Sequence, residues 1–433
     1  MTRIFRWVGT LLLALSLTSA PAMAQIDPSV SGLIAADTPT GAEILKINQS
    51  GATKAVTVSQ LSTIGVNVLN RSTANTQKWR SALARYLTSG YRPKLLFIGD
   101  SKDVGIGAGT ASDGQYQSVG AASRNKTTYL AQLLAARGYN VNRQSWAGAA
   151  GLASTTAVNG YDPRRTIPST WNYGQFSLGG GRLNAASPNT DAMTIVPDAS
   201  VITDRVDILV VTSAGLGTIS VTDGTTTATQ STSGADGIQR LSFTGFSRGA
   251  GKSYSVARTT ANTGSIRILA TIALDSTRPE IEILNGGSSG ATTANWNSAA
   301  NPESPLNAIP GYAPDMSVIQ LGTNDMAPSA NISLSAFSTN IASIIAATKI
   351  TGDCMVELPS QPPVGAASYP NYAAYTAAAR SAALAGGCIV IDHGARLGSW
   401  TGANAAGFMF DNLHETANGY ADEARPVADA LIY

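Results

Sequence analysis

From Lys94 onward, short unbroken apolar runs alternate with segments of helical period, and this alternation constrains the fold of the 433-residue chain more than any other feature. The first run is Leu95, Leu96, Phe97 and Ile98. A strand with one wet face alternates apolar and polar residues, so an unbroken run predicts a strand buried on both faces, as in a parallel sheet covered by helices. A helix is expected near residues 127–137, where Leu130, Leu133 and Leu134 share a stripe and Gly138 stops it. Further strands are expected at 316–321, 355–358 and 389–391, and helices at 335–348, 372–384 and 419–431. With right-handed crossovers, the economical arrangement is α/β, a flavodoxin-like three-layer parallel sheet.

The alternation is interrupted between residues 161 and 276. There the helical period gives way to period-2 runs at 206–211, 218–222, 239–243, 254–256 and 266–273, punctuated by Gly, Ser and Asp. This pattern predicts an antiparallel β-sandwich inserted into a loop of an α/β domain formed by residues 90–160 and 277–433. Residues 25–80 are expected to form a small N-terminal module. A hairpin is expected from the β-prone runs 44–47 and 55–58, which flank Gln49-Ser50-Gly51. The phrase at 40–54 resembles attachment segments of phage tail and fibre proteins, and a plain linker is the alternative.

Residues 1–24 carry Arg3 and Arg6, an apolar stretch from Leu11 to Leu17, and the small-x-small sequence Ala22-Met23-Ala24. They read as a signal peptide cleaved near Ala24, which implies a secreted or periplasmic protein, with an uncleaved anchor as the alternative. The apolar stretch is too short to span a bilayer comfortably, and no integral membrane association is expected. Two of the 29 Lys and Arg lie in this segment and none of the 27 acids, so the mature chain balances at zero. Such a chain has no field to attract nucleic acid or anionic lipid. Export also favours a disulfide between Cys354 and Cys388, which open two neighbouring apolar runs, over a pair of buried thiols. Two Cys and two His at these spacings match no zinc pattern, and no metal is expected.

Three short motifs carry candidate chemistry. Gly99-Asp100-Ser101 follows the first buried strand, at the carboxyl edge where open α/β sheets bind ligands. Ser101 is there a candidate nucleophile, or else an N-cap. A serine hydroxyl needs an imidazole to take its proton, and the imidazole needs a carboxylate to fix its tautomer. Asp411-Asn412-Leu413-His414 supplies both within one turn. His393, the other of the two histidines, also lies at a strand's carboxyl end and is either a rival base or a structural residue bonded to backbone; His414 is preferred because only it has a carboxylate at workable spacing. Gly322-Thr323-Asn324-Asp325 ends another buried strand, where the Asn324 amide could donate to an oxyanion.

In this order and spacing, these blocks resemble the SGNH, or GDSL-type, serine hydrolase family, over residues 94–160 and 277–433. The resemblance implies an acyl-enzyme mechanism that needs no cofactor, with Ser101 as nucleophile, His414 as base and then acid, and Asp411 orienting His414. It also implies an oxyanion hole from the N–H of Ser101, a glycine N–H and the Asn324 amide. Gly290, in Ser289-Gly290-Ala291-Thr292, is the preferred glycine and Gly148 the alternate. Glu415 stands where the family commonly has proline, a departure expected to affect the loop more than the chemistry. An ester, in particular an acylated polysaccharide, is the substrate expected of such an exported enzyme.

Two rivals remain at this level. Gly286-Gly287-Ser288-Ser289-Gly290 fits the nucleophile-elbow pattern of an α/β-hydrolase using Ser288. The alternative from another class is a non-catalytic carbohydrate- or surface-binding, fibre-like protein. A dinucleotide site at Gly105, Gly107 and Gly109 has the wrong glycine spacing. Trp146, Trp171, Trp296 and Trp400 lie in loop-like stretches and would either stack on sugar rings or pack between domains.

Overall fold

The computed structural model describes residues 44–49, 52–57, 68–109, 124–148, 162, 164–261, 263–363, 369 and 371–432. The expected signal peptide lies outside the described residues. The chain divides into two units, 1–67 and 68–433. In the first, the expected hairpin is present: Ile44–Gln49 pairs antiparallel with Ala52–Thr57, with Gln49 opposite Ala52.

The centre of the second unit is a seven-stranded sheet. Its spatial order is Val68–Leu69, Ile389–Asp392, Asp353–Leu358, Met316–Gln320, Lys94–Gly99, Ile281–Asn285 and Val141–Asn142. All pairings are parallel except that of Val68–Leu69 at the edge. Alternate side chains point to opposite faces, so each strand feeds two cores. Leu95 and Phe97 pack with Trp79, Leu130 and Val427 on one face. Leu96 and Ile98 pack with Ile309, Ile344 and Tyr375 on the other. The result is the flavodoxin-like three-layer arrangement. Chain order reverses at Lys94–Gly99, which has the next main strand, Ile281–Asn285, on one side and the one after it, Met316–Gln320, on the other. Loops leaving such a point diverge and open a crevice at the carboxyl edge.

The interruption is an inserted antiparallel sandwich of a five-stranded and a six-stranded sheet. Val206, Ile208 and Val210 of Arg205–Thr212 point into its core with Ile219, Phe243 and Tyr254, while Leu209 and Val211 point to the α/β side. Arg240 ties the two parts together: it bonds Asp207 and holds Glu282 of the parallel sheet through two bonds of 2.8 and 2.6 Å.

Both expected domain edges shift. The sandwich includes Ser145–Ala147, which pairs with Ile266–Leu274 and buries Trp146 in the sandwich core, so it draws on chain upstream of residue 161. The α/β unit takes in residues 68–89 rather than starting at 90. The helix Gln77–Ser89 buries Trp79, whose indole donates to Leu431 O at 2.9 Å. Cys354 and Cys388 form a disulfide, joining two adjacent central strands across 34 positions of sequence. No helix among the described residues is long and apolar enough to cross a membrane.

Candidate active site

Ser101 opens a four-residue helix, Ser101–Val104, directly after Lys94–Gly99. The N-cap is Asp100, whose carboxylate accepts the Lys102 N–H at 2.9 Å, so Ser101 itself is not spent on capping. Gly99 has no alternative here, because a Cβ would collide with the Asp103 carboxylate. Gly105, with φ of 94°, ends the turn in the left-handed region that favours glycine.

The imidazole of His414 reaches Ser101 from 313 positions away, with Nε2 2.9 Å from Oγ. Its Nδ1 lies 2.8 Å from Asp411 Oδ2, while Asp411 Oδ1 accepts the N–H groups of Leu413 and His414. That local turn fixes the carboxylate before the ring is oriented. The Phe410 N–H donates to His414 O at 2.9 Å and closes the loop. Burial works against the Asp411 charge, but the bond to His414 and the backbone N–H groups outweigh it and hold the carboxyl at about 2. An ionised Asp411 accepts from Nδ1–H, which leaves Nε2 free to take the Ser101 proton.

Three further contacts draw the neighbouring loops to this point. The Ser288 N–H donates to Gly99 O at 3.1 Å, and the Asn285 amide donates to Asp103 O at 2.6 Å. Asn324 Nδ2 donates to Ala291 O at 2.9 Å. Asp325 accepts the N–H of Thr293 at 3.0 Å and its hydroxyl at 2.5 Å, and so locks the 322–325 turn to the 285–293 loop. Gly290, with φ of 75°, has open space where a side chain would be. Neither its N–H nor that of Ser101 donates to a backbone carbonyl among the described residues.

The structure removes two sequence candidates. The Gly148 N–H already donates to Leu269 O at 2.8 Å, and a Cβ there would strike the carbonyls of Leu178 and Gly181. Gly148 belongs to the sandwich and has no donor to offer an oxyanion. Ser288 is 1% exposed, sits in a loop rather than a strand-to-helix elbow, and neither histidine bonds to it. His393 is structural, as expected, but its partner is a carboxylate rather than backbone: Nε2 lies 2.7 Å from Glu357 Oε1, with both side chains buried. Trp146, Trp171 and Trp296 are buried packing residues. Trp400 is half-buried, and its indole donates to Asp411 O at 3.2 Å. A shallow hollow is lined by Thr323, Met326, Tyr369, Tyr372, Asn412 and Leu413, the last two preceding His414 in sequence.

Sequence reasoning also missed the buried charges beneath the site. Lys102 and Glu415, each one residue past a candidate catalytic group, form a buried ion pair. Lys126 is buried between Asp103 and Glu357. The available signal was four polar residues in a row, Asp100-Ser101-Lys102-Asp103, at the end of a buried strand.

The model of the GDSL-like lipase/acylhydrolase family matches residues 248–421, a segment that holds Asn324, Asp411 and His414 and begins downstream of Ser101. Residues 248–421 are therefore similar to a GDSL-like lipase/acylhydrolase domain. Among solved structures, this chain is similar to one described as a peptidoglycan O-acetylesterase in action, at 15% identity and a TM-score of 0.62. That match covers 84% of this chain and 98% of the other. It is also similar to a lipase/acylhydrolase from Enterococcus faecalis, at 22% identity, a TM-score of 0.31, and coverage of 35% of this chain and 75% of that one. A further match is Axe2, an acetylxylan esterase from Geobacillus stearothermophilus, at 16% identity, a TM-score of 0.29, and coverage of 36% and 74%. No curated protein matches the chain.

Proposed function

We propose that this protein is an exported serine esterase that removes acetyl groups from a polysaccharide. Ser101 Oγ attacks the ester carbonyl as its proton passes to His414 Nε2. The bond to the sugar oxygen then breaks, and the same proton goes to that leaving oxygen. Water, deprotonated by His414, attacks the acyl-enzyme, releasing acetate and restoring Ser101. Asp411 remains ionised throughout and holds the ring. The N–H groups of Ser101 and Gly290 and the Asn324 amide receive the oxyanion.

The observation that carries this reading is the unbroken chain of bonds from Asp411 through His414 to Ser101. A deacetylase acting on sugar is favoured by the half-buried Trp400, whose indole donates to Asp411 O and whose ring is of a kind that stacks on sugars. The likeness in fold to a structure described as a peptidoglycan O-acetylesterase, over 84% of this chain, makes an acetylated cell-wall glycan the first substrate to try. The test compares acetate release from O-acetylated peptidoglycan and acetylated xylan with hydrolysis of short- and long-chain p-nitrophenyl esters. Ser101→Ala is expected to abolish every activity, and acetyl esters are expected to be the best substrates. Turnover by Ser101→Ala, or a preference for long acyl chains, would overturn the proposal.

A further inference from the structure

Ser101 stands on a helix of four residues, too short to hold its position by its own hydrogen bonds. His414 stands on a loop whose Asp411 side chain is 44% exposed. Neither support is rigid by itself, yet the two side chains meet at 2.9 Å.

One residue past each lies a charge. Lys102 Nζ is 2.5 Å from Glu415 Oε1, with side chains 1% and 0% exposed. Ser360, in the loop after Asp353–Leu358, closes a triangle: its hydroxyl accepts from Lys102 at 2.8 Å and donates to Glu415 at 2.6 Å. The contacts 101–414 and 102–415 are thus two rungs between the same two stretches of backbone. A third tie leaves the same helix from Asp103, which pairs with Lys126 at 2.8 Å. Lys126 continues to Gln320 at 2.7 Å and Glu357 at 2.6 Å, at the carboxyl ends of two central strands. Burial opposes the charge on Glu415, but the Lys102 ammonium keeps its carboxyl below the ordinary value.

Buried ion pairs are weak sources of stability, because removing both ions from water costs about what their attraction returns. What such a pair does enforce is geometry. We propose that Lys102 and Glu415 are positioning residues that set the distance between the Ser101 hydroxyl and the His414 imidazole. The proposal rests on the assignment of those two as nucleophile and base. The pair touches no substrate, so its removal is felt in kcat and not in KM.

The experiment uses the full chain with Lys102→Met, Glu415→Gln, the double variant and Ser101→Ala. It measures kcat and KM on a short-chain p-nitrophenyl ester, the rate of Ser101 labelling by a fluorophosphonate, and the melting temperature. Each single variant is expected to lose about tenfold or more in kcat and in labelling rate with KM within about twofold, since small misplacements of reacting groups carry losses of up to about a hundredfold. The double variant is expected to lose far less than the product of the single losses, because it leaves no unpaired buried charge. Singles that melt normally and keep kcat within about twofold would overturn the proposal, as would a double loss equal to the product. Where a single variant does not fold, Ser360→Ala decides: a fall in kcat at constant KM supports the proposal, and unchanged kcat refutes it. An active Ser101→Ala protein would instead refute the assignment of the nucleophile.

Discussion

Replacing Asn324 separates a catalytic amide from a turn-forming one. The residue lies just past Met316–Gln320, after Gly322, whose φ of 116° favours glycine. One N–H of its side-chain amide is committed to Ala291 O at 2.9 Å. An amide nitrogen carries two N–H groups, so the second remains for an oxyanion. Losing one such donor costs about 10²–10³ in kcat, or about 2.7–4 kcal/mol. Asn324→Ala also removes the tie to Ala291, the neighbour of Gly290, and so disturbs a second donor; the expected loss is therefore near the upper end, about 10³. Asn324→Asp preserves shape but turns acceptors towards both the oxyanion and Ala291 O, and is expected to be worse than alanine. KM should hardly move, because the donor is aimed at charge that develops only in the transition state. The assay is steady-state hydrolysis of a short-chain p-nitrophenyl ester, normalised to fluorophosphonate-titrated sites, with melting curves as a folding control. A folded Asn324→Ala protein with kcat within about threefold of the parent would refute the assignment.

Asp411→Asn keeps an oxygen for the Leu413 and His414 N–H groups but loses the charge that selects the Nδ1–H tautomer; kcat should fall by about 10²–10⁴, and a loss under tenfold in single-turnover assays would mean another group orients the ring. Burial, reinforced for Glu423 by Glu415, pushes Asp103 and Glu423 up to about 7 and Asp100 to about 6, while His393 is raised above 6.5 by Glu423 and Glu357 against the effect of burial. The folded protein therefore keeps protons that the unfolded chain releases above about pH 4, and stability should decline as pH rises from about 4.5 through 7. Melting temperatures that rise over that window would contradict this, and Glu423→Gln should flatten the slope. The disulfide closes 34 positions of sequence, worth about 4 kcal/mol in the chain-entropy model, so the double variant Cys354→Ala/Cys388→Ala should unfold at clearly lower urea; an unchanged midpoint would argue against it.

What sequence alone determined was whatever depends on neighbours along the chain. Unbroken runs such as 95–98 are strands buried on both faces because their side chains leave no polar side to face water. The Asp411–His414 pair was legible because one turn brings the carboxylate to the ring. The helix Gln77–Ser89 carries Trp79, Ala82, Leu83 and Tyr86 at helical spacing, yet the expected module boundary at residue 80 cuts through it, because nothing local says which core a stripe joins. Ser145–Ala147 is three residues long, too short for a period, and only its partner strand makes it part of the sandwich. Next to that pairing the Gly148 N–H is spent on Leu269 O, whereas the Gly290 N–H donates to no backbone carbonyl among the described residues. The same holds for charge. Glu415 looked like a loop variation until folding brought Lys102 to it across 313 positions, and His393 had no carboxylate at workable spacing along the chain until Glu357 met it on the adjacent strand. A buried charge is stable only where a distant counter-charge arrives with it, and that encounter is written in the packing of the sheet rather than in any stretch of sequence.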